Sequence, residues 1–270
     1  TPNPVKVNLE FDKSLSNGTL NAGDFSFKLT GDGNVNETVT NKANGKINFS
    51  TLSFDKAGVY NYTVKEVAGT NTDVDYDAMT INVKVTVTKD ANTGLLSAST
   101  VMTSSGGEAT DANDRVFNNF VVPPVPVNVN FTKALAGRTL VAGEFTFEMK
   151  DENGVVVATG TNDEHGVVTF NQLPEVKNAQ VGKVIKYKVT EKVPANKEFG
   201  VTYDNMVAEV SVTVSKNADH TLKATVTYPG GDTEFNNTVT PPTTPDFQPE
   251  KFIVNKEKFD ITGNKLMDDD

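Results

Sequence analysis

Two sets of polar residues sit where strand alternation predicts an apolar face. In the segment from Val5, the odd positions Val5, Val7, Leu9 and Phe11 share the parity of Lys13, and Val127, Val129 and Phe131 share that of Lys133. Successive side chains of a strand point to opposite sides, so both lysines are predicted to face the core. The same rule sends Glu66 inward with Tyr60, Tyr62 and Val64, and Glu191 inward with Ile185, Tyr187 and Val189. It sends Asn119 inward between Phe117 and Val121, and Asn237 between Phe235 and Val239, while their neighbours Asn118 and Asn236 face outward.

A lysine, a glutamate and an asparagine directed into one apolar interior are costly as isolated groups and are expected to meet. Desolvation lowers the pKa of a lysine and raises that of a glutamate, so the pair can exist as neutral amine and neutral acid. A neutral amine held against a carboxamide carbon is a positioned nucleophile. A protonated glutamate can polarise the carbonyl oxygen and then pass protons to the departing ammonia. The expected product is a Lys–Asn isopeptide bond, Lys13 to Asn119 with Glu66 as acid, and Lys133 to Asn237 with Glu191. Taken singly, a lysine ending a strand snorkels to water and an asparagine near a strand end makes a turn. The agreement of three parities, repeated once, favours the chemical reading.

The elements that must position these residues come in two copies, offset by about 120 residues, the size of a domain rather than of a solenoid repeat. Leu20-Asn21-Ala22-Gly23-Asp24-Phe25-Ser26-Phe27 answers Leu140-Val141-Ala142-Gly143-Glu144-Phe145-Thr146-Phe147. Gly45 to Phe49 answers Gly166 to Phe170, Tyr62-Thr63-Val64-Lys65-Glu66 answers Tyr187-Lys188-Val189-Thr190-Glu191, and Tyr76-Asp77 answers Tyr203-Asp204. Each copy closes on Phe-Asn-Asn, at Phe117 and at Phe235. Roughly seven short alternating runs per copy, separated by Asn-Gly, Asp-Gly and Gly-Gly turns, predict an all-β chain of two tandem immunoglobulin-like β-sandwich domains. The expected domains are 1–122 and 127–239, joined by a proline-rich linker at 123–126. A second such linker is expected at 240–245, and 246–270 is read as a tail or the start of a further adhesin domain. Short proline-rich connectors favour extended, stiff geometry, so the domains are expected end to end.

The formal net charge of −10 argues against nucleic acid and anionic membrane surfaces, both of which need a basic face. Cysteine is absent, which excludes disulfides, thiol nucleophiles and Cys-ligated zinc. No stretch is apolar enough to span a membrane, and the opening Thr1-Pro2-Asn3-Pro4 is not a signal peptide.

On the residues quoted, both copies resemble the streptococcal pilin isopeptide-linkage domain family, the modules of pilus shafts and of wall-anchored adhesin stalks. The family pattern runs from a lysine closing the first strand through Gly-Asp/Glu-Phe-x-Phe, Tyr-x-Val-x-Glu and Tyr-Asp to a final Phe-x-Asn. By position, the resemblance makes Lys13 and Lys133 the amine donors, Asn119 and Asn237 the acceptors, and Glu66 and Glu191 the catalytic acids. It implies a structural stalk on the extracellular, wall-anchored surface of a Gram-positive bacterium, monomeric in solution, whose partners are adjacent domains of the same protein. Crosslinking turns over once, so the protein is not expected to be an enzyme, and no cofactor or metal is expected. Three other functions find less support in the sequence. A ligand-binding adhesin module gripping a host protein or glycan through its loops has no direct support. A hydrolase fails because His165 and His220 lie in turn-like sequence with no nucleophile motif. Asp268-Asp269-Asp270 reads as a solvated acidic end rather than a calcium site.

Overall fold

The computed structural model describes residues 3–243, 245, 262 and 263. The tail or further domain expected at 246–270, with its terminal aspartates, otherwise lies outside the described residues.

The chain is all-β, built as two tandem immunoglobulin-like sandwiches with separate cores. Phe11, Phe27, Ile47, Val64 and Phe117 centre the first core, and Phe131, Phe147, Met149, Val189 and Phe235 the second. In the first domain, strands Leu96–Ser105, Thr80–Lys89, Gly58–Val67, Ser26–Gly31 and Val35–Thr40 form a five-stranded sheet in that order. Opposite it lies a four-stranded sheet ordered Lys46–Asn48, Glu10–Ser16, Val116–Val121 and Val74–Asp75. The second domain joins the equivalent layers into one nine-stranded sheet, because Val156–Asn162 pairs with both Thr146–Lys150 and Val167–Phe170.

Each domain contains more strands than the seven runs read from the sequence, since several runs divide between partners. The opening run of the first domain pairs at Val5–Val7 with Leu52–Phe54, then at Glu10–Ser16 with Lys46–Asn48. Its side-chain alternation survives the change of partner: Leu9, Phe11 and Lys13 are all buried.

Three strands set the site in each domain. In the first, Glu10–Ser16 carries Lys13, Gly58–Val67 carries Glu66, and Val116–Val121 carries Asn119. Phe131–Ala136, Val184–Lys192 and Glu234–Val239 carry Lys133, Glu191 and Asn237. The lysine and asparagine strands are the first and last long strands of their domain, and they pair in parallel. Leu15 lies opposite Asn119 with Lys13 opposite Phe117, and Leu135 lies opposite Asn237 with Lys133 opposite Phe235. The glutamate comes from the facing layer, where Glu66 neighbours Phe27 and Glu191 neighbours Phe147. The two layers lock together through Phe27 on Phe117 and Phe147 on Phe235, with ring centroids 5.2 and 5.0 Å apart. That contact brings the glutamate down onto the parallel pair.

Candidate functional site

All six residues singled out by parity converge, three to a domain, inside the sandwich. The side chains of Lys13 and Glu66, and those of Lys133 and Glu191, are 0% exposed, and Asn119 and Asn237 are buried. One carboxylate bridges both partners. Lys13 Nζ donates to Glu66 Oε2 at 3.1 Å while Asn119 Nδ2 donates to Glu66 Oε1 at 2.6 Å. In the second domain Lys133 Nζ donates to Glu191 Oε2 at 3.0 Å and Asn237 Nδ2 to Glu191 Oε1 at 2.6 Å. Amine and carboxamide are thereby gathered on the two oxygens of a single acid.

The asparagine orientation follows from its other partner. The backbone N–H of Asp77 can only donate, so the Asn119 atom facing it at 2.8 Å is the carbonyl oxygen, and Asp204 N–H meets Asn237 Oδ1 at 2.8 Å. This corrects the expected division of labour. The glutamate faces the amide nitrogen that would depart, and a backbone N–H, not the glutamate, faces the carbonyl oxygen.

Burial sets the ionisation of the site. Desolvation pulls the Lys13 pKa from its ordinary 10.5 down to about 8, against the opposing charge and hydrogen bond of Glu66. It likewise pulls Lys133 down, against Glu191. Desolvation also pushes the Glu66 carboxyl above its usual range, against Lys13 and the Asn119 hydrogen bond. In the first domain these directions bring the two groups closer in acidity, which lowers the cost of moving a proton from ammonium to carboxylate and so of freeing a nucleophilic amine.

Several supporting residues repeat in both domains but were given no role from sequence. Each ammonium lies over an aromatic face, Lys13 Nζ 4.7 Å from the Phe25 centroid and Lys133 Nζ 4.7 Å from that of Phe145. Buried Asn41 holds the Phe25 turn by accepting from Phe25 N–H and donating to the carbonyls of Asn21 and Lys42. Asn162 does the same for Phe145, through Val141 and Asp163. Gly45 and Gly166 have φ of +84° and +88°, and a Cβ on either would collide with the carbonyl oxygen of Lys13 or Lys133. Their own carbonyls accept from those lysines' backbone N–H groups at 2.8 and 2.7 Å. The signal was in the sequence, because each of these residues recurs at the matching place in the two copies.

Two such sites in one chain match a known family. The family described as Spy0128-like isopeptide containing domain, FctA, matches twice, over residues 9–121 and 129–240. The chain belongs to this family. Among solved structures, the chain is similar to two major pilin proteins of Streptococcus pyogenes. The T3.2 pilin is 17% identical, with 88% of this chain and 97% of that one covered and a TM-score of 0.33. For the T-13 pilin the identity is 18%, with 89% and 98% covered and a TM-score of 0.34. The chain is also similar to a C-terminal fragment of the pilus adhesin SpaC from Lactobacillus rhamnosus GG, 13% identical, with 86% and 96% covered and a TM-score of 0.33. No curated protein matches.

The two histidines of the sequence part company in the fold. His165 is exposed, whereas His220 lies where the two FctA domains meet. Its ring stacks on Phe120 at 3.8 Å, its Nδ1 is 2.6 Å from Asp75 Oδ2, and its Nε2 is 2.9 Å from Glu108 Oε1. Asp75 also accepts from Lys216 Nζ at 2.6 and 2.7 Å and from Asn178 Nδ2 at 3.0 Å. The joint therefore has a side-chain clamp besides its prolines.

Proposed function

We propose that this chain is a load-bearing stalk segment of an extracellular, wall-anchored Gram-positive pilus or adhesin, and that each domain crosslinks itself through a Lys–Asn isopeptide bond. The observation that supports this reading is the bridging carboxylate, present in both domains with the same atoms in the same places. In the reaction, the neutral amine of Lys13 attacks Asn119 Cγ. The new Nζ–Cγ bond forms, the Cγ–Nδ2 bond breaks, and Glu66 takes a proton from Nζ and delivers one to Nδ2, which leaves as ammonia. Glu66 ends as it began. Lys133, Asn237 and Glu191 follow the same course. Each site acts once on its own chain, so the protein has no external substrate.

The placement of the bond suits a tether. The lysine strand lies near the start of each domain and the asparagine strand at its end. A bond between them routes tension across the parallel pair and spares everything between, so the sandwich cannot unzip under load. Adjacent domains of the same protein are the partners this role requires.

The intact mass of the whole chain tests the reading, measured beside Glu66→Ala and Glu191→Ala variants. The expected wild-type mass is two ammonia molecules below the sequence mass, and each variant regains one. A wild type at its full sequence mass would sink the proposal.

A further inference from the structure

The carbonyl oxygen of each reacting asparagine becomes an oxyanion when the amine attacks, and in both domains it already faces one backbone N–H. We infer that Asp77 and Asp204 form single-donor oxyanion holes, in which the backbone N–H stabilises the developing charge and the side chain positions that N–H. This rests on the isopeptide reading above and goes beyond it by assigning residues outside the Lys–Asn–Glu triads.

The aspartate carboxylate fastens its own backbone to the reacting strand. Asp77 Oδ2 accepts from the N–H of Asn118, the residue preceding the acceptor, at 2.8 Å. Asp77 Oδ1 accepts from Met79 N–H at 2.8 Å and from Glu108 N–H at 3.0 Å. Asp204 repeats the two essential bonds, to Asn236 N–H at 2.7 Å and Met206 N–H at 2.8 Å. The carboxylate thus holds two points, the strand that carries the asparagine and the turn that carries the donor. Between them the N–H is fixed 2.8 Å from the oxygen before any reaction begins. A donor preorganised in a buried site requires no reorganisation as charge develops, and removing one typically costs about 10²–10³-fold in rate. A clustered negative charge would not by itself aid attack, so the carboxylate serves through its hydrogen bonds.

Asp77→Asn tests this, because an amide keeps the size but offers one acceptor oxygen where the carboxylate offers two. In a pulse-chase of the full chain, the crosslinked Lys13–Asn119 and Lys133–Asn237 peptides are quantified by mass against time and pH. The expected result is slowing of the first bond by about ten- to a hundredfold, a fraction of the loss of a whole donor. The second bond keeps its wild-type rate, and Asp204→Asn reverses the pattern. Losing the Asp77 charge, which raises the pKa of both Lys13 and Glu66, displaces the pH profile, so rates are compared at the plateau of each profile. Folding is controlled in chains carrying Glu66→Gln, where the stability lost to Asp77→Asn is measured and rates are taken at temperatures at which the first domain is fully folded. A wild-type plateau rate in the fully folded Asp77→Asn chain would overturn the assignment while leaving the isopeptide reading intact. A wild type that never loses ammonia would remove both.

Discussion

Replacing Glu66 by Gln gives the sharpest energetic test of the crosslink. The substitution preserves shape, leaves one acceptor oxygen for Lys13 and Asn119 where the carboxylate offers two, and removes the group that moves protons, so the first domain is expected to remain open while the second closes. Lys13 and Asn119 bracket nearly the whole domain, a loop of roughly 100 residues, for which chain-entropy closure is worth about 4.7 kcal/mol. For a domain of this size that corresponds to a melting temperature lowered by roughly 20 °C. Glu66→Gln also weakens a buried ion pair, so the effect of the bond must be separated from that of the side chain. Asn119→Ala, which cannot crosslink, supplies the background. The stability lost on Glu66→Gln in the wild type, less that lost in Asn119→Ala, isolates the covalent contribution. Calorimetry of the full chains, with intact mass confirming which bonds exist, should give a difference near 4–5 kcal/mol in the first transition, by the same closure estimate, and none in the second. A missing bond accompanied by a difference below ~1 kcal/mol would refute the loop-closure reasoning.

Three further outcomes follow from named contacts. In the uncrosslinkable Asn119→Ala chain, the folded Lys13 pKa of about 8 lies below its ordinary 10.5, so the unfolded state binds more protons between those values. Stability attributable to Lys13 should therefore rise with pH across that window and be lost as pH falls through about 8, relative to a chain also carrying Lys13→Met; parallel curves would contradict it. At the domain joint, burial pushes the Asp75 pKa up, but hydrogen bonds from Lys216, His220 and Asn178 outweigh it and hold the group below its usual range. The clamp is then fully present above the ordinary carboxylate range and lost as pH falls through the lowered value. Asp75→Ala at neutral pH should broaden the distance distribution seen by small-angle scattering, and an unchanged profile would argue against the clamp. Gly45→Ala should destabilise the first domain by roughly 1–3 kcal/mol in denaturant unfolding, since the left-handed backbone is strained for alanine and its Cβ meets the Lys13 carbonyl; an unchanged midpoint would contradict that.

The sequence by itself determined the β class, the two copies and the inward direction of Lys13, Glu66, Asn119 and their counterparts. These are local properties: the pleat of a strand fixes which side a residue faces whatever its partner. The tertiary structure decided what parity cannot express. That the first and last long strands run parallel, with Leu15 rather than Lys13 opposite Asn119, is a matter of register between segments a domain apart. The same non-local pairing turned the Asn119 oxygen toward Asp77 N–H and away from Glu66, whose carboxylate faces the amide nitrogen instead of the carbonyl oxygen first expected. Tyr76-Asp77 and Tyr203-Asp204 stood out as repeats but revealed no role, because the partner is a backbone group and backbone groups leave no mark on residue type. His220 looked like an isolated turn residue until the second domain was set against the first, where Asp75, Glu108 and Phe120 surround it. Contacts between domains depend on the placement of whole bodies, and no periodicity within either one encodes that.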